Sequence, residues 1–221
     1  MRKTNGILFA LALAATTGSA KAADVIGYDN TASYQGQFSN RGNFEVGDQI
    51  RLSTGPSTLT SFQFEYNFTG VDGAATGTLR FWDLSGTTAG GGPAPGNLLF
   101  QSDVFNLNNG FNQAFVTNIS LSVPESFVWT VDFNGVDGAE QAGLLFYNGA
   151  TVGNGPGQSE DTSWENTSTD PGTVTWALVN TPSVFDNFGA RVYVVPEPTT
   201  IALIATGGAL VGLAARRRRK A

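Results

Sequence analysis

The run Phe62-Gln63-Phe64-Glu65-Tyr66-Asn67-Phe68 places four aromatic rings on one side of an extended chain and three polar side chains on the other. A period of two is the pattern of a β-strand with one buried face; a helix of the same sequence would scatter the rings around its circumference. Phe127, Trp129, Val131 and Phe133 repeat the alternation, as do Val174, Trp176 and Leu178, and then Ala190, Val192 and Val194. Clusters of Gly, Asn, Asp and Pro separate these runs, and no stretch between residues 23 and 194 carries helical periodicity. The pattern predicts an all-β domain, a single β-sandwich of the jelly-roll kind over residues 23–194. The chain has no Cys, so this domain rests on its apolar core without disulfides. Its length suffices to bury such a core.

The domain contains an internal echo. Residues 61–83 and 126–148 align without a gap at an offset of 65, with ten of 23 positions identical, among them Gly70-Val71-Asp72-Gly73-Ala74 against Gly135-Val136-Asp137-Gly138-Ala139. Each copy reads as strand, turn, strand, with Leu79 and Phe81, or Leu144 and Phe146, on the returning strand. Two copies are too few for a solenoid, and the expectation is a pair of hairpins within one sandwich.

The two ends depart from the strand pattern. Arg2 and Lys3, the apolar run Ile7 to Ala15 and the small-residue site Ala20-Lys21-Ala22 have the order of a secretory signal peptide over residues 1–22, with Ala20 and Ala22 flanking the cleavage signal. At the other end Thr199 to Ala215 is uncharged over 17 residues, the lower limit for a helix that crosses a bilayer. Arg216, Arg217, Arg218, Arg219 and Lys220 follow it and would stop transfer, holding that end in the cytoplasm and leaving the domain outside. Gly207, Gly208 and Gly212 would let another membrane helix approach closely. Residues 195–221 thus read as a unit: Pro196-Glu197-Pro198, a short transmembrane helix and an Arg-rich tail. The two prolines fix φ and remove two amide donors, which keeps the segment outside the membrane extended and open to a protease.

This arrangement at the C-terminus, paired with an N-terminal signal peptide, resembles the PEP-CTERM sorting signal of Gram-negative bacteria. The resemblance covers about residues 195–220 and implies recognition of Pro196, Glu197 and Pro198 by an exosortase, an integral-membrane protease of the cysteine-transpeptidase type. It also implies transient anchoring in the membrane and delivery to the cell surface or the extracellular polymer matrix. Residues 79–105 are similar to a segment that recurs in PEP-CTERM ectodomains, and that similarity implies no activity.

Charge and residue types narrow what the domain can do. All 18 acidic residues lie between Asp24 and Glu197, against the four bases Arg41, Arg51, Arg80 and Arg191. So acidic a field disfavours nucleic acid as a partner. Asp72 and Asp137 in the repeated turns, and Glu160 and Asp161 in the acidic segment 157–172, are weak calcium candidates. One carboxylate per turn falls short of the six to eight oxygens calcium takes, so no cofactor is expected and a solvated acidic surface is the simpler reading. Without His or Cys, the common nucleophile-base pairs and zinc sites are out of reach. What remains is carboxylate chemistry, and no paired-carboxylate constellation lies along one strand face, so no enzyme is expected. Trp129 and Trp176 fall on alternating apolar faces and read as core, whereas Trp82 and Trp164 fall off them and are the candidates for stacking on carbohydrate. The leading expectation is an exported surface or matrix protein with a structural or adhesive role in a biofilm. The alternatives are a carbohydrate-binding module for exopolysaccharide and a secreted carboxylate-dependent glycoside hydrolase.

Overall fold

The alternating segments form strands, and the computed structural model describes residues 23–88, 91–153, 162–168, 174–180 and 187–197. Along the chain these are β1 (Val25–Asp29), β2 (Tyr34–Phe38), β3 (Glu45–Arg51), β4 (Ser57–Thr69), β5 (Thr76–Trp82), β6 (Gly86–Thr87), β7 (Pro93–Ala94), β8 (Leu98–Gln101) and β9 (Phe105–Asn106). They continue as β10 (Gly110–Val116), β11 (Leu121–Val123), β12 (Ser126–Asn134), β13 (Gln141–Tyr147), β14 (Thr162–Asn166), β15 (Trp176–Asn180), β16 (Asn187–Phe188) and β17 (Ala190–Pro196). Residues 1–22, predicted as a signal peptide, the segment 199–221 and the acidic residues Glu160 and Asp161 lie outside the described residues.

Two antiparallel sheets carry the fold. The first has the order β1-β17-β4-β13-β16, with β10 and β11 also on β4 and β2 on β13; the second has the order β15-β14-β3-β12-β5-β8, with β9 on β5. Their inner faces supply one core, in which Phe62, Phe64 and Phe68 of β4 meet Phe81 of β5 and Phe127, Trp129 and Phe133 of β12. The Phe62 ring lies 5.0 Å from Phe81 and 5.2 Å from Trp129. Each fully buried ring of this kind contributes about 1.5–3 kcal/mol of transfer free energy. Val192 pairs with Phe62 but Val194 with Leu59, and this irregularity turns both Leu59 and Phe62 inward although they are three residues apart.

The internal echo is structural, but its copies are arches rather than hairpins. β4 lies in the first sheet and β5 in the second; in the second copy the order is reversed, β12 lying in the second sheet and β13 in the first. The first strand of each copy therefore pairs with the second strand of the other. The registers repeat with the offset: Tyr66 faces Leu144 and Phe68 faces Ala142, as Val131 faces Leu79 and Phe133 faces Gly77. The six-residue turns after β4 and after β12 cross the roughly 10 Å between the sheets, so the strands they join cannot pair with each other. Gly73 and Gly138 occupy equivalent turn positions with φ of +75° and +61°, the left-handed region where a side chain is strained.

Candidate functional site

The sequence places Trp82 and Trp164 off the core face, and the structure puts both on the outer side of the second sheet, where they are buried. Trp82 is 6% and Trp164 1% exposed, in a satellite cluster with Val128 and Ala94 onto which Leu84 and Trp176 pack. Trp82 meets Trp176 edge to face at 5.3 Å. Ala94 belongs to the ladder of β6 and β7, which a turn at Asp83 folds over the sheet. Neither ring presents a face to a saccharide, and Trp176 packs here rather than in the main core.

Beside this cluster the sheet brings together two carboxylates that are distant in sequence. Glu45 of β3 and Asp132 of β12 are cross-strand partners, and Arg80 of β5 bridges them, 2.9 Å from Glu45 and 3.1 Å from Asp132. The Trp82 indole N–H donates to Thr130 Oγ1 at 2.9 Å, and the Thr130 hydroxyl donates to Glu45 Oε1 at 2.6 Å. Asn166 Nδ2 donates to Glu45 Oε2 at 3.3 Å and Arg80 Nε to Gln101 Oε1 at 2.9 Å. Glu45 is buried, and its charge is matched by a guanidinium and two further hydrogen bonds, the arrangement of a structural ion network. A carboxylate held this way is not presented to a substrate.

In the repeated turns the carboxylates of Asp72 and Glu140 are engaged, and Asp137 takes part through its backbone. Asp72 Oδ1 accepts the backbone N–H of Asn109. The two repeated turns adjoin, since Glu140 accepts the N–H of Val71 at 3.3 Å and that of Asp137 at 3.1 Å. Among the described residues no three acidic side chains gather to hold a metal ion. A cleft of about 670 Å³ runs between β10 and the β8–β9 connection, walled by Tyr66, Phe100, Phe105, Ala114 and Val116, with Asp103 as its one carboxylate.

The outer face of the first sheet has a different character. On edge strand β10 two large rings lie on the outer side: Phe111 and Phe115 face solvent at 65% and 54% exposure. Phe111 packs edge-on to Tyr34 of β2 at 5.8 Å, and Phe115 edge-on to Tyr193 of β17 at 6.0 Å. Between the two pairs lie Gln113 and, across β4, Glu65 and Gln63. Glu65 accepts hydrogen bonds from the Tyr147 hydroxyl and from Gln113 Nε2. Burial first, and then the charge of Glu65, push the Tyr34 and Tyr147 phenols above the ordinary tyrosine range, so both remain protonated donors. The charges nearby cancel: Arg191 Nε donates to Asp29 Oδ2 at 2.8 Å. The signal for this face was in the sequence Gly-Phe-Asn-Gln-Ala-Phe-Val, whose alternation does not say which side is wet.

At one end of the same sheet the start of the sorting segment is built into the fold. β17 is a central strand paired on both sides, with Val194 opposite Leu59 of β4 and Val25 of β1. It continues through Pro196, opposite Ser57, and the next residue, Glu197, accepts a hydrogen bond from the Ser122 hydroxyl at 3.1 Å. Residues 194–219 match the family model of the PEP-CTERM protein-sorting motif. The chain carries a PEP-CTERM sorting signal. It is an exported, cell-surface-directed protein and a substrate of exosortase processing. No curated protein and no solved structure matches the chain. Of the predicted PEP-CTERM residues, Pro196 is the last residue of β17 and Glu197 is docked and exposed. Pro198, the bases Arg216 to Lys220, and Ala20 and Ala22 of the predicted signal peptide lie outside the described residues. The sequence boundary at 194/195 is therefore not a break in the backbone, because the PEP-CTERM motif begins inside the last strand.

Proposed function

We propose that the mature sandwich is a non-enzymatic adhesive component of the cell surface or extracellular matrix. The observation that carries this reading is the pairing of Val25 with Val194, which brings the first and last strands of the sandwich to one end of the first sheet. Only Ala23 and Asp24 separate β1 from the signal peptide, and the sorting motif starts in β17. The precursor's two membrane segments would then adjoin the same end of the domain. β4 runs from Ser57, beside Pro196, to Thr69, so a residue opposite Asn67 stands ten positions, or about 33 Å, along the sheet from that end. The exposed outer face of the first sheet would be held away from the membrane, toward neighbouring cells or matrix. The engagement of Glu45, Asp132 and Asp29 with arginines supports a structural reading of these carboxylates.

The test is a comparison of producing cells with a deletion strain. Fractionation and intact mass of the native protein should give a surface or released species that begins at Ala23 and lacks the Arg-rich tail, and cell aggregation or surface attachment should fall in the deletion strain. Unchanged aggregation and attachment would remove the adhesive role while leaving the sorting signal in place.

A further inference from the structure

The outer face of the first sheet pairs exposed aromatic rings with a polar strip, and we infer that it binds an extended, uncharged polysaccharide chain. This rests on the adhesive reading above and names the ligand class for that role. Phe111 and Phe115 are four residues apart on one side of β10, about 13 Å, and each is buttressed from a neighbouring strand, by Tyr34 and Tyr193. Buttressing fixes ring orientation, so little side-chain freedom is lost when a flat ligand lies against them.

The space between the rings decides the chemistry. A protein partner seeks a contiguous apolar patch with a dry centre, whereas here the centre is Gln113 and Glu65, amide and carboxylate groups suited to hydroxyls. A saccharide has the complementary surface, apolar C–H faces that lie on rings and an equator of hydroxyls that both donate and accept. Charge narrows the class further. With 17 acidic residues against four bases over residues 23–194, the domain repels polyanions. On the face itself Arg191 is neutralised by Asp29, which leaves nothing to recruit an acidic polymer. An uncharged chain long enough to reach both ring pairs fits; a monosaccharide reaches one and binds more weakly.

The test uses the processed protein purified from the surface of producing cells, run in native gels cast with hydroxyethylcellulose, galactomannan or dextran, and with alginate as the polyanion. Migration should slow in at least one uncharged polymer. The double variant Phe111→Ala/Phe115→Ala should lose about tenfold or more in apparent affinity, with an unchanged melting temperature because both rings are exposed. The double variant Phe111→Tyr/Phe115→Tyr should keep its affinity, and so should Val71→Ala, whose exposed side chain stands in a turn off this face. No retardation in all three uncharged polymers, retardation in alginate alone, or equal retardation of the alanine double variant would each overturn the inference. Cell attachment separates the two levels. If deletion of the protein abolishes attachment and the alanine double variant restores it in full, the polysaccharide face is wrong while the adhesive role stands.

Discussion

The Ser122 hydroxyl donates to the carboxylate of Glu197 over 3.1 Å, so the folded domain already holds the central residue of its own sorting motif. An enzyme that reads Glu197 in an extended segment must first take it from Ser122. An exposed hydrogen bond to a charged group stabilises by about 1 kcal/mol, so Ser122→Ala should speed exosortase processing by about twofold to tenfold. Glu197→Gln keeps both prolines and an oxygen that Ser122 can reach, but it removes the charge. That variant should accumulate in the membrane unprocessed. Pulse labelling with fractionation, in a host carrying the cognate exosortase, reads both rates. Processing of Glu197→Gln at the wild-type rate would show that the carboxylate is not what the enzyme recognises.

Arg80 of the second sheet supports two carboxylates at once, so its loss would leave both without a counter-charge. Arg80→Met would leave Glu45 buried without its counter-charge, and loss of one partner from a buried ion pair costs about 3–5 kcal/mol. Thr130→Val removes both the acceptor of the Trp82 N–H and a donor to Glu45, at about 1–3 kcal/mol. Urea denaturation should order the variants with Arg80→Met below Thr130→Val and both below wild type. Adding the Glu45→Gln change to Arg80→Met should recover part of the loss, since the stranded charge is then gone.

What the sequence discloses here is which side of a strand a residue takes, and what it conceals is what covers that side. The alternation in β4 and β12 identifies Phe62, Phe64, Trp129 and Phe133 as core because those strands are central and their inner faces meet. The same reasoning puts Trp82 outside the core correctly, yet the β6–β7 ladder and Trp176 lie on that outer face and bury it. Phe111 and Phe115 take the outer face of β10 while Ala114 and Val116 pack on the core, so this strand is apolar on both faces, which a sheet edge tolerates. The repeat at offset 65 is visible as identity, but turn length alone does not distinguish an arch from a hairpin; the distinction lies in long-range pairing such as Phe68 with Ala142. Glu45 and Asp132 are 87 residues apart in sequence, and only register makes them neighbours.

The repeated turns and the sheet interiors make different demands on glycine. At Gly138 a methyl group would meet nothing within 4 Å, and at Gly73 only the Asn106 side chain at 3.8 Å, so alanine there is opposed chiefly by the positive φ. Each of Gly73→Ala and Gly138→Ala should cost about 1 kcal/mol, and by nearly the same amount, as befits equivalent positions. Gly47 and Gly143 are in strands, where a methyl group would fall 1.8 Å from the Trp129 carbonyl oxygen and 1.3 Å from that of Ser39. Backbone cannot yield at those points without breaking a ladder, so Gly47→Ala and Gly143→Ala should fail to give folded protein. Thermal melts of the first pair and solubility of the second are the measurements.

Asp83 ties down the loop that covers Trp82, and its ionisation should show in the acid limb of the stability curve. Partial burial pushes its carboxyl group up, but the Ser85 hydroxyl, the Asn97 side-chain amide and the backbone N–H groups of Ser85 and Asn97 all donate to it and hold it down to about 2. A carboxyl group with a lower pKa folded than unfolded contributes stability above its unfolded value near 3.8, and that contribution is lost as pH falls through the folded value. Wild-type protein should therefore lose stability between about pH 4 and pH 2, while Asp83→Asn, which carries no ionisable group there, should start lower at neutral pH and decline less over the same interval. The difference in melting temperature between the two, a few degrees at pH 6, should narrow as pH approaches 2. A difference that stays constant across that range would mean that Asp83 acts as a neutral loop residue and that its hydrogen bonds do not depend on its charge.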